Sequence, residues 1–469
     1  MVSAASAEHV PFASPQAGWA EQDPGDWFRA TCTAITQAVA GFVPESITAI
    51  ALTGQMHGAV LLDADGRVVR PALIWCDQRT ADQSRELEAR FGIDELLRLT
   101  CNRPLTNFTL TKLLWVRQHE PEIWERVRHV LLPKDYVRFR LCGEYAMDVA
   151  EASGTLLLDV AHRQWSAGVL QKVGLDKNLL PALFESSEVC GQLRPAMAAQ
   201  LGLQAGTPIV AGAGDQMAGA VGMGIVRPGM VSATIGTSGV VFAATDRPAL
   251  DAQGRIHTFC HALPGRWCVM GVTQAAGLSL RWFRDLLRVP CPAGDDPYDR
   301  MTAEAAGAPA GCDGVLWAPY LMGERTPHLD PGARGALVGL AASHQRAHIL
   351  RAVMEGVAFS LKDTLTIFAE MNLPVKKIRL GGGGARSPLW RQIQADVYGM
   401  PVETLQAGEG AAYGAAILAG VGTGVWPSLD QACDEVIAVS SAQEPGPDLL
   451  ATQAAYTRYR KLYPALKNI

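Results

Sequence analysis

Twice in this chain of 469 residues an apolar run of strand length ends in glycine and passes at once into a helix. The first instance is "PIVAGAGDQMAGAVG", residues 208 to 222, and the second is "KIRLGGGGARSPLWRQIQADVYG", residues 377 to 399. A buried strand handed to a helix through residues without side chains is the unit from which wound α/β sheets are built. Its return in the second half points to a duplicated architecture, although the two halves share no extended repeat. The length requires two domains, since one core does not grow to serve so many residues. The boundary is expected near 215–230, where a strand, a small-residue helix and "VRPG" give way to a new strand pair. The expected domains are therefore 1–222 and 223–469.

Other elements follow the same logic. "ITAIALTG" (47–54) reads as a strand, and "VLLDADGRVV" (60–69) as a hairpin around Asp65-Gly66. From Leu350 through Val353, Val357, Leu361 and Leu365 to Phe368, apolar residues recur at intervals of three and four, so a long helix packs one face inward.

Composition narrows the function. A net charge of −5, 48% hydrophobic and 19% charged residues give no reason to expect nucleic acid or a membrane surface as partner. The run "KKIR" at 376–379 reads as a solvated strand entry. The ten cysteines include no C-x-x-C pair, and Cys260 and Cys268 are too far apart for a zinc knuckle, so they read as reduced thiols of a cytoplasmic protein. "MVSAASAEHVPFASPQAG" lacks the basic start and apolar core of a secretory signal. "GAAYGAAILAGVGTGVW" (410–426) is too short and too rich in Gly and Ala for a membrane span, and reads as a closely packed helix with its exit.

Four places could carry chemistry. In "IGTSGV" (235–240) a tight turn between two strands offers backbone N–H groups and two hydroxyls to one point, which suits a phosphate chain or a plain hairpin. Gly381 to Gly384 end a strand before a helix starting near Ser387; they allow close approach of a ring or phosphate, or simply make a tight crossover. They match neither G-x-G-x-x-G nor G-x-x-x-x-G-K-[ST], which argues against a dehydrogenase or a P-loop enzyme. Asp215 follows Gly214 at the end of a strand. It is either a helix N-cap or, because ligands gather at the carboxyl ends of strands in open α/β sheets, a base that accepts a hydroxyl proton. Met56 and His57 in "GQMHGA" (54–59) follow another strand and would give a polyol one apolar wall and one hydrogen-bonding ring. Trp75 and Asp77 in "IWCDQR" (74–79) suit either a sugar or a buried ion pair.

Taken together, "WAEQDP", "GQMHGA", "LLPKDYVRFRLCGEYAMDVAEASGTLLLDV", "GAGDQMAGAVG", "GTSGV", "FCHALPGRW", "GERTPH" and "GGGGARSPLWRQ" resemble the FGGY family of carbohydrate kinases over nearly the whole chain. The resemblance implies two actin-like, ribonuclease H-type domains closing over a sugar and MgATP in the cleft between them, in a monomer or homodimer. It implies transfer of the γ-phosphoryl group of ATP to the 5-hydroxyl of D-xylulose, with Asp215 as base and Mg²⁺ at the phosphates; no residue is assigned to the metal. Met56, His57, Trp75, Asp77 and Gln216 are the implied sugar contacts, and Gly236, Thr237, Ser238, Gly382, Gly383 and Gly384 the implied ATP contacts. "GQMHG" and "GERTPH" favour xylulose. Gln216 stands where kinases of that preference generally carry Asn, which leaves another pentulose, a hexulose or a polyol open as acceptor. The family begins with a strand, an Asp-x-Gly-Thr phosphate turn and a second strand, whereas this chain opens on "MVSAASAEHV". The first domain is therefore expected to be incomplete at its start, through an internal start codon or a truncated gene copy. A non-catalytic sugar or nucleotide binder is the alternative from another class.

Overall fold

The computed structural model describes residues 2–288, 292, 294–406 and 410–468. In the first part of the chain the strand β1 (Ile50–Gly54) is followed by helices α1 (Pro133–Cys142) and α2 (Val149–Ser153), then by β2 (Val189–Gln192), β3 (Pro208–Gly214) and α3 (Asp215–Gly222). The second part contains β4 (Gly229–Ile235), β5 (Gly239–Thr245), β6 (His257–Cys260), β7 (Trp267–Thr273) and the long helix α4 (Arg346–Glu370). After α4 come β8 (Val375–Gly382), α5 (Pro388–Tyr398), β9 (Val402–Leu405), α6 (Gly410–Gly422) and β10 (Val439–Gln443).

Both glycine-ended strands form where the sequence places them. β3 lies between antiparallel β2 and parallel β1. β8 pairs in parallel with β4 and β9 inside a seven-stranded sheet of order β6-β7-β5-β4-β8-β9-β10. Parallel pairs need a crossover, and helices supply it in both sheets. The second edge of β1 carries no strand among the described residues, and Thr53 Oγ1 there has no hydrogen-bond partner. A groove of about 440 Å³ lined by Trp27, Leu52, Thr53 and Val137 runs beside it.

Helix α4 buries Leu350, Val353, Val357, Leu361 and Phe368 against Val231, Ile378, Leu380 and Trp390, with Leu365 at the margin. Ser387 caps α5, its hydroxyl accepting from the Trp390 amide at 3.3 Å. The first core draws on late residues too, because Ile417, Leu418 and Leu429 pack with Met217, Val221 and Ile225. The 410–426 segment is thus a packed helix, and no described helix is long and apolar enough to cross a membrane. The nine described cysteines are free.

The crossing of α3 with α6 depends on absent side chains. A Cβ on Gly414 would lie 1.8 Å from the Ala218 carbonyl oxygen, and one on Gly222 would lie 2.0 Å from that of Gly410. Gly414→Ala is therefore expected to cost at least ~1–3 kcal/mol as the helices are forced apart. The thermal midpoint checks this, and an unchanged midpoint would show that the crossing tolerates separation.

Candidate active site

β1 and β3 run parallel and end level, with Gly54 opposite Gly214. The chains that leave those ends, Gln55-Met56-His57 and Asp215-Gln216, consequently meet at the carboxyl edge of the sheet. Asp215 is the first residue of α3; Gly214 occupies the N-cap position and no side chain caps the helix, so Asp215 is not spent on capping. Gln216 Nε2 donates to Asp215 Oδ2 at 3.1 Å. Burial raises the Asp215 pKa, and the hydrogen bonds from Gln216 oppose the shift without cancelling it. Gly214 lets these groups crowd together: a Cβ there would fall 2.2 Å from Glu151 Oε2 and 2.7 Å from Met56 Cγ.

His57 takes a left-handed backbone conformation, φ 67°, which costs energy in a residue with a bulky side chain. Two donors fix its peptide: Thr109 Oγ1 and Lys112 Nζ bond to the His57 carbonyl oxygen at 3.2 and 2.8 Å. The ring sits edge-on to Phe108, with Nδ1 2.7 Å from the Gly154 carbonyl oxygen. A carbonyl only accepts, so Nδ1 carries the hydrogen and Nε2 keeps its lone pair. Burial pushes the His57 pKa down to about 3, which keeps the ring neutral. The residue thus presents a fixed acceptor.

The two further sugar-side expectations part ways. Ala59 bridges Leu73 in antiparallel fashion, which brings the Trp75 segment alongside the chain that carries Met56 and His57, and Trp75 is 45% exposed. Asp77 is a correction. It is fully buried, and its carboxylate accepts from the Ala20 amide at 2.6 Å and from Arg79 Nε and Nη2 at 3.0 and 2.8 Å. The Arg79 guanidinium carbon lies over Trp19, 3.6 Å from the ring centroid. With its oxygens consumed by this ion pair, Asp77 belongs to the scaffold and has none left for a sugar.

A second wall comes from the seven-stranded sheet. Parallel pairing of β4 with β8 sets Thr234 against Gly381 and Ile235 against Gly382, which aligns the 236–238 turn with the glycine run. Thr237 and Ser238 are unpaired at their amides and hydroxyls among the described residues, and Gly236 and Thr237 are exposed. Gly382 has φ 70°, and a Cβ on it would strike the Ile235 carbonyl oxygen at 2.4 Å. The glycines are needed to bring the two strands' ends level. Among the described residues no group of three or more His, Cys, Asp or Glu could hold a metal ion.

Beneath the first wall lies a charged cluster that reading by motif did not single out. Lys134 Nζ is 2.6 Å from Asp135 Oδ1 and 2.6 Å from Asp148 Oδ1, and Arg138 Nη1 is 2.9 Å from Asp135 Oδ1, all with side chains at most 1% exposed. Two cations match two carboxylates, leaving Glu151, buried with both oxygens unpartnered. Burial holds the Glu151 pKa well above the usual carboxylate range, with the neighbouring acids adding to the effect. The signal available was the set of charges inside the otherwise apolar "LLPKDYVRF" and "AMDVAEAS".

The sequence model of the N-terminal domain of the FGGY family of carbohydrate kinases matches residues 1–222, and that of the C-terminal domain matches residues 231–423. The chain belongs to this family. As an FGGY kinase it is a phosphotransferase with an alcohol group as acceptor, built on the two-domain fold of such kinases. It is 38% identical over 470 residues to a xylulose kinase of Bacillus subtilis strain 168, covering all of this chain and 92% of the relative. A xylulose kinase of Escherichia coli strain K12 is 39% identical over 466 residues, 99% of this chain and 94% of that one. The crystal structure of a xyloylose kinase from Brucella ovis superposes with a TM-score of 0.91 at 38% identity, covering 99% of this chain and 94% of the other.

Proposed function

We propose that this FGGY kinase transfers the γ-phosphoryl group of ATP to the 5-hydroxyl of D-xylulose, with Asp215 as general base. The observation that carries this reading is the level ending of β1 and β3, from which Asp215, Met56 and His57 all leave at the carboxyl edge of the sheet. The xylulose kinases to which it is similar along their length support the choice of sugar. Met56 and Trp75 offer apolar surface to the carbon chain, and the neutral His57 Nε2 accepts from a sugar hydroxyl. Gln216 holds Asp215 and faces the same hydroxyl.

Asp215 takes the hydroxyl proton as the oxygen attacks phosphorus, which is the one proton the reaction must move. The open amides and hydroxyls of Thr237 and Ser238, together with the backbone at Gly236 and Gly382 to Gly384, fit a nucleotide's phosphate chain. MgATP, when bound, supplies the phosphoryl group and a metal held chiefly by phosphate oxygens, in keeping with the habit of Mg²⁺ of taking few protein ligands. A division of the sequence after Gly222 is part of the same proposal, with α6 returning to the first core.

The test is ATP-dependent phosphorylation of D-xylulose beside D-ribulose, L-ribulose and glycerol. Preference for D-xylulose is expected. Preference for another acceptor would overturn the sugar assignment, and ligand binding without turnover would make the chain a binder. His57→Asn, which keeps a polar group but moves the acceptor, is expected to raise KM for D-xylulose ~10-fold while KM for ATP stays put; equal changes in both would place His57 outside the sugar site.

A further inference from the structure

Arg325 belongs to "GERTPH", and its side chain has no role in the reaction described so far. Its loop is pinned on both sides of it to the end of β7. Glu324, fully buried, accepts from the Thr273 hydroxyl and from the Gln274 amide at 3.0 Å. Thr326 donates its amide to the Val272 carbonyl oxygen at 3.0 Å, and its hydroxyl oxygen accepts from the Val272 amide at 3.1 Å. The neighbouring strand β6 carries His257 and Phe259 into contact with Phe108 and His57 of the first half, at ring separations of 5.6 and 6.1 Å. Arg325 thus stands at the seam where the two halves meet over His57.

Its guanidinium makes no ion pair and no side-chain hydrogen bond among the described residues, and the adjacent Glu324 carboxylate is taken by Thr273, Gln274 and the Arg325 amide. The Arg325 charge, added to burial, helps to hold both His57 and His257 low, whereas it is burial that raises Asp215. The cation therefore sits at the His57 end of the site. A partly buried guanidinium without a partner is a standing cost unless a ligand satisfies it.

We propose that Arg325 binds the end of the acceptor remote from the hydroxyl served by Asp215, and selects a keto-sugar over the polyol of the same length. This rests on the kinase reading above. Guanidinium groups only donate, and a ketose carbonyl oxygen only accepts, so the two match without a spare proton. A polyol puts a hydroxyl there, whose hydrogen needs an acceptor that the guanidinium lacks. His57, with its Nε2 lone pair, complements the cation by accepting from a neighbouring sugar hydroxyl.

The experiment uses full-length Arg325→Gln and Arg325→Lys, with D-xylulose and D-arabinitol as acceptors and with sugar and ATP varied separately. Arg325→Gln is expected to raise KM for D-xylulose ~10- to 100-fold, the range for a lost charge-assisted hydrogen bond, and to lower the preference for D-xylulose over D-arabinitol ~10-fold. Arg325→Lys keeps the charge but loses the planar fork, and should fall between. KM for ATP within twofold of the parent would show that both variants are folded and that the loss is on the sugar side. A rise in KM for ATP instead would assign the guanidinium to the phosphates, and an unchanged ketose preference would remove it from the sugar; either overturns the proposal. If the parent enzyme itself ignores D-xylulose, the kinase assignment fails first. Parent turnover with unaltered variants sinks only the role of Arg325.

Discussion

Asp215→Asn is expected to lower kcat by ~10³-fold, within the range attributed to a positioned general base, while KM for sugar and for ATP moves by no more than a few-fold. Asn has the same shape and can keep a hydrogen bond with Gln216, so the cleft stays built, but an amide cannot take the hydroxyl proton. The pH dependence is the sharper signature. Burial raises the Asp215 pKa, so the parent kcat should fall as pH drops through a value higher than that of an ordinary aspartate, where the protonated acid no longer serves as base. Asp215→Asn removes that limb. Because the folded-state pKa is raised, the ionised carboxylate weakens the fold as pH rises through that value, and the variant should melt no lower than the parent at neutral pH. A folded variant that retains a tenth of the parental kcat would show that Asp215 is not the base.

Lys134→Met is expected to cost the protein ~3–5 kcal/mol of stability, the range for breaking a buried ion pair from one side. The ammonium lies between Asp135 and Asp148 and is 3.3 Å from the Ala211 carbonyl oxygen. Methionine fills much of the volume and supplies no charge. Arg138 still answers Asp135, which leaves Asp148 as a buried acid facing no cation. Protonation of Asp148 relieves that state, so the loss should shrink at acidic pH. Urea denaturation of parent and variant at two pH values tests both statements. A cost below ~1 kcal/mol would mean that water or a rearranged side chain reaches the cluster. Activity should fall as well, since Lys134 Cβ lies 3.1 Å from where a Cβ on Gly54 would be, directly under the strand end that presents Met56 and His57.

Much of the site was legible because its parts are local. A strand ending in Gly214-Asp215, a turn of Gly-Thr-Ser-Gly and four glycines before a helix declare themselves within a few residues, since their conformations depend on what those residues lack. Met56 and His57 were legible for the same reason, as neighbours of a strand's end. What failed was the assignment of charge. "IWCDQR" could serve a sugar or an ion pair, and local sequence cannot choose, because the choice lies in Arg79 folding back onto Trp19 and in an amide supplied by Ala20, 57 residues away. Lys134, Asp148 and Glu151 went unread because a charge inside an apolar segment shows its meaning only when its partner is in view.

The sequence by itself determined the α/β class, the strand–glycine–helix units and the residues at their junctions, since hydrophobic period and backbone freedom are properties of short segments. Only the tertiary structure decided which junctions face one another, the alignment of Gly54 with Gly214 and of Ile235 with Gly382, the return of Gly410–Gly422 to the first core, and the approach of Phe259 to His57 across 202 positions. Those pairings are set by strand register and by the burial of charge, and both are energies of contact between distant parts of the chain.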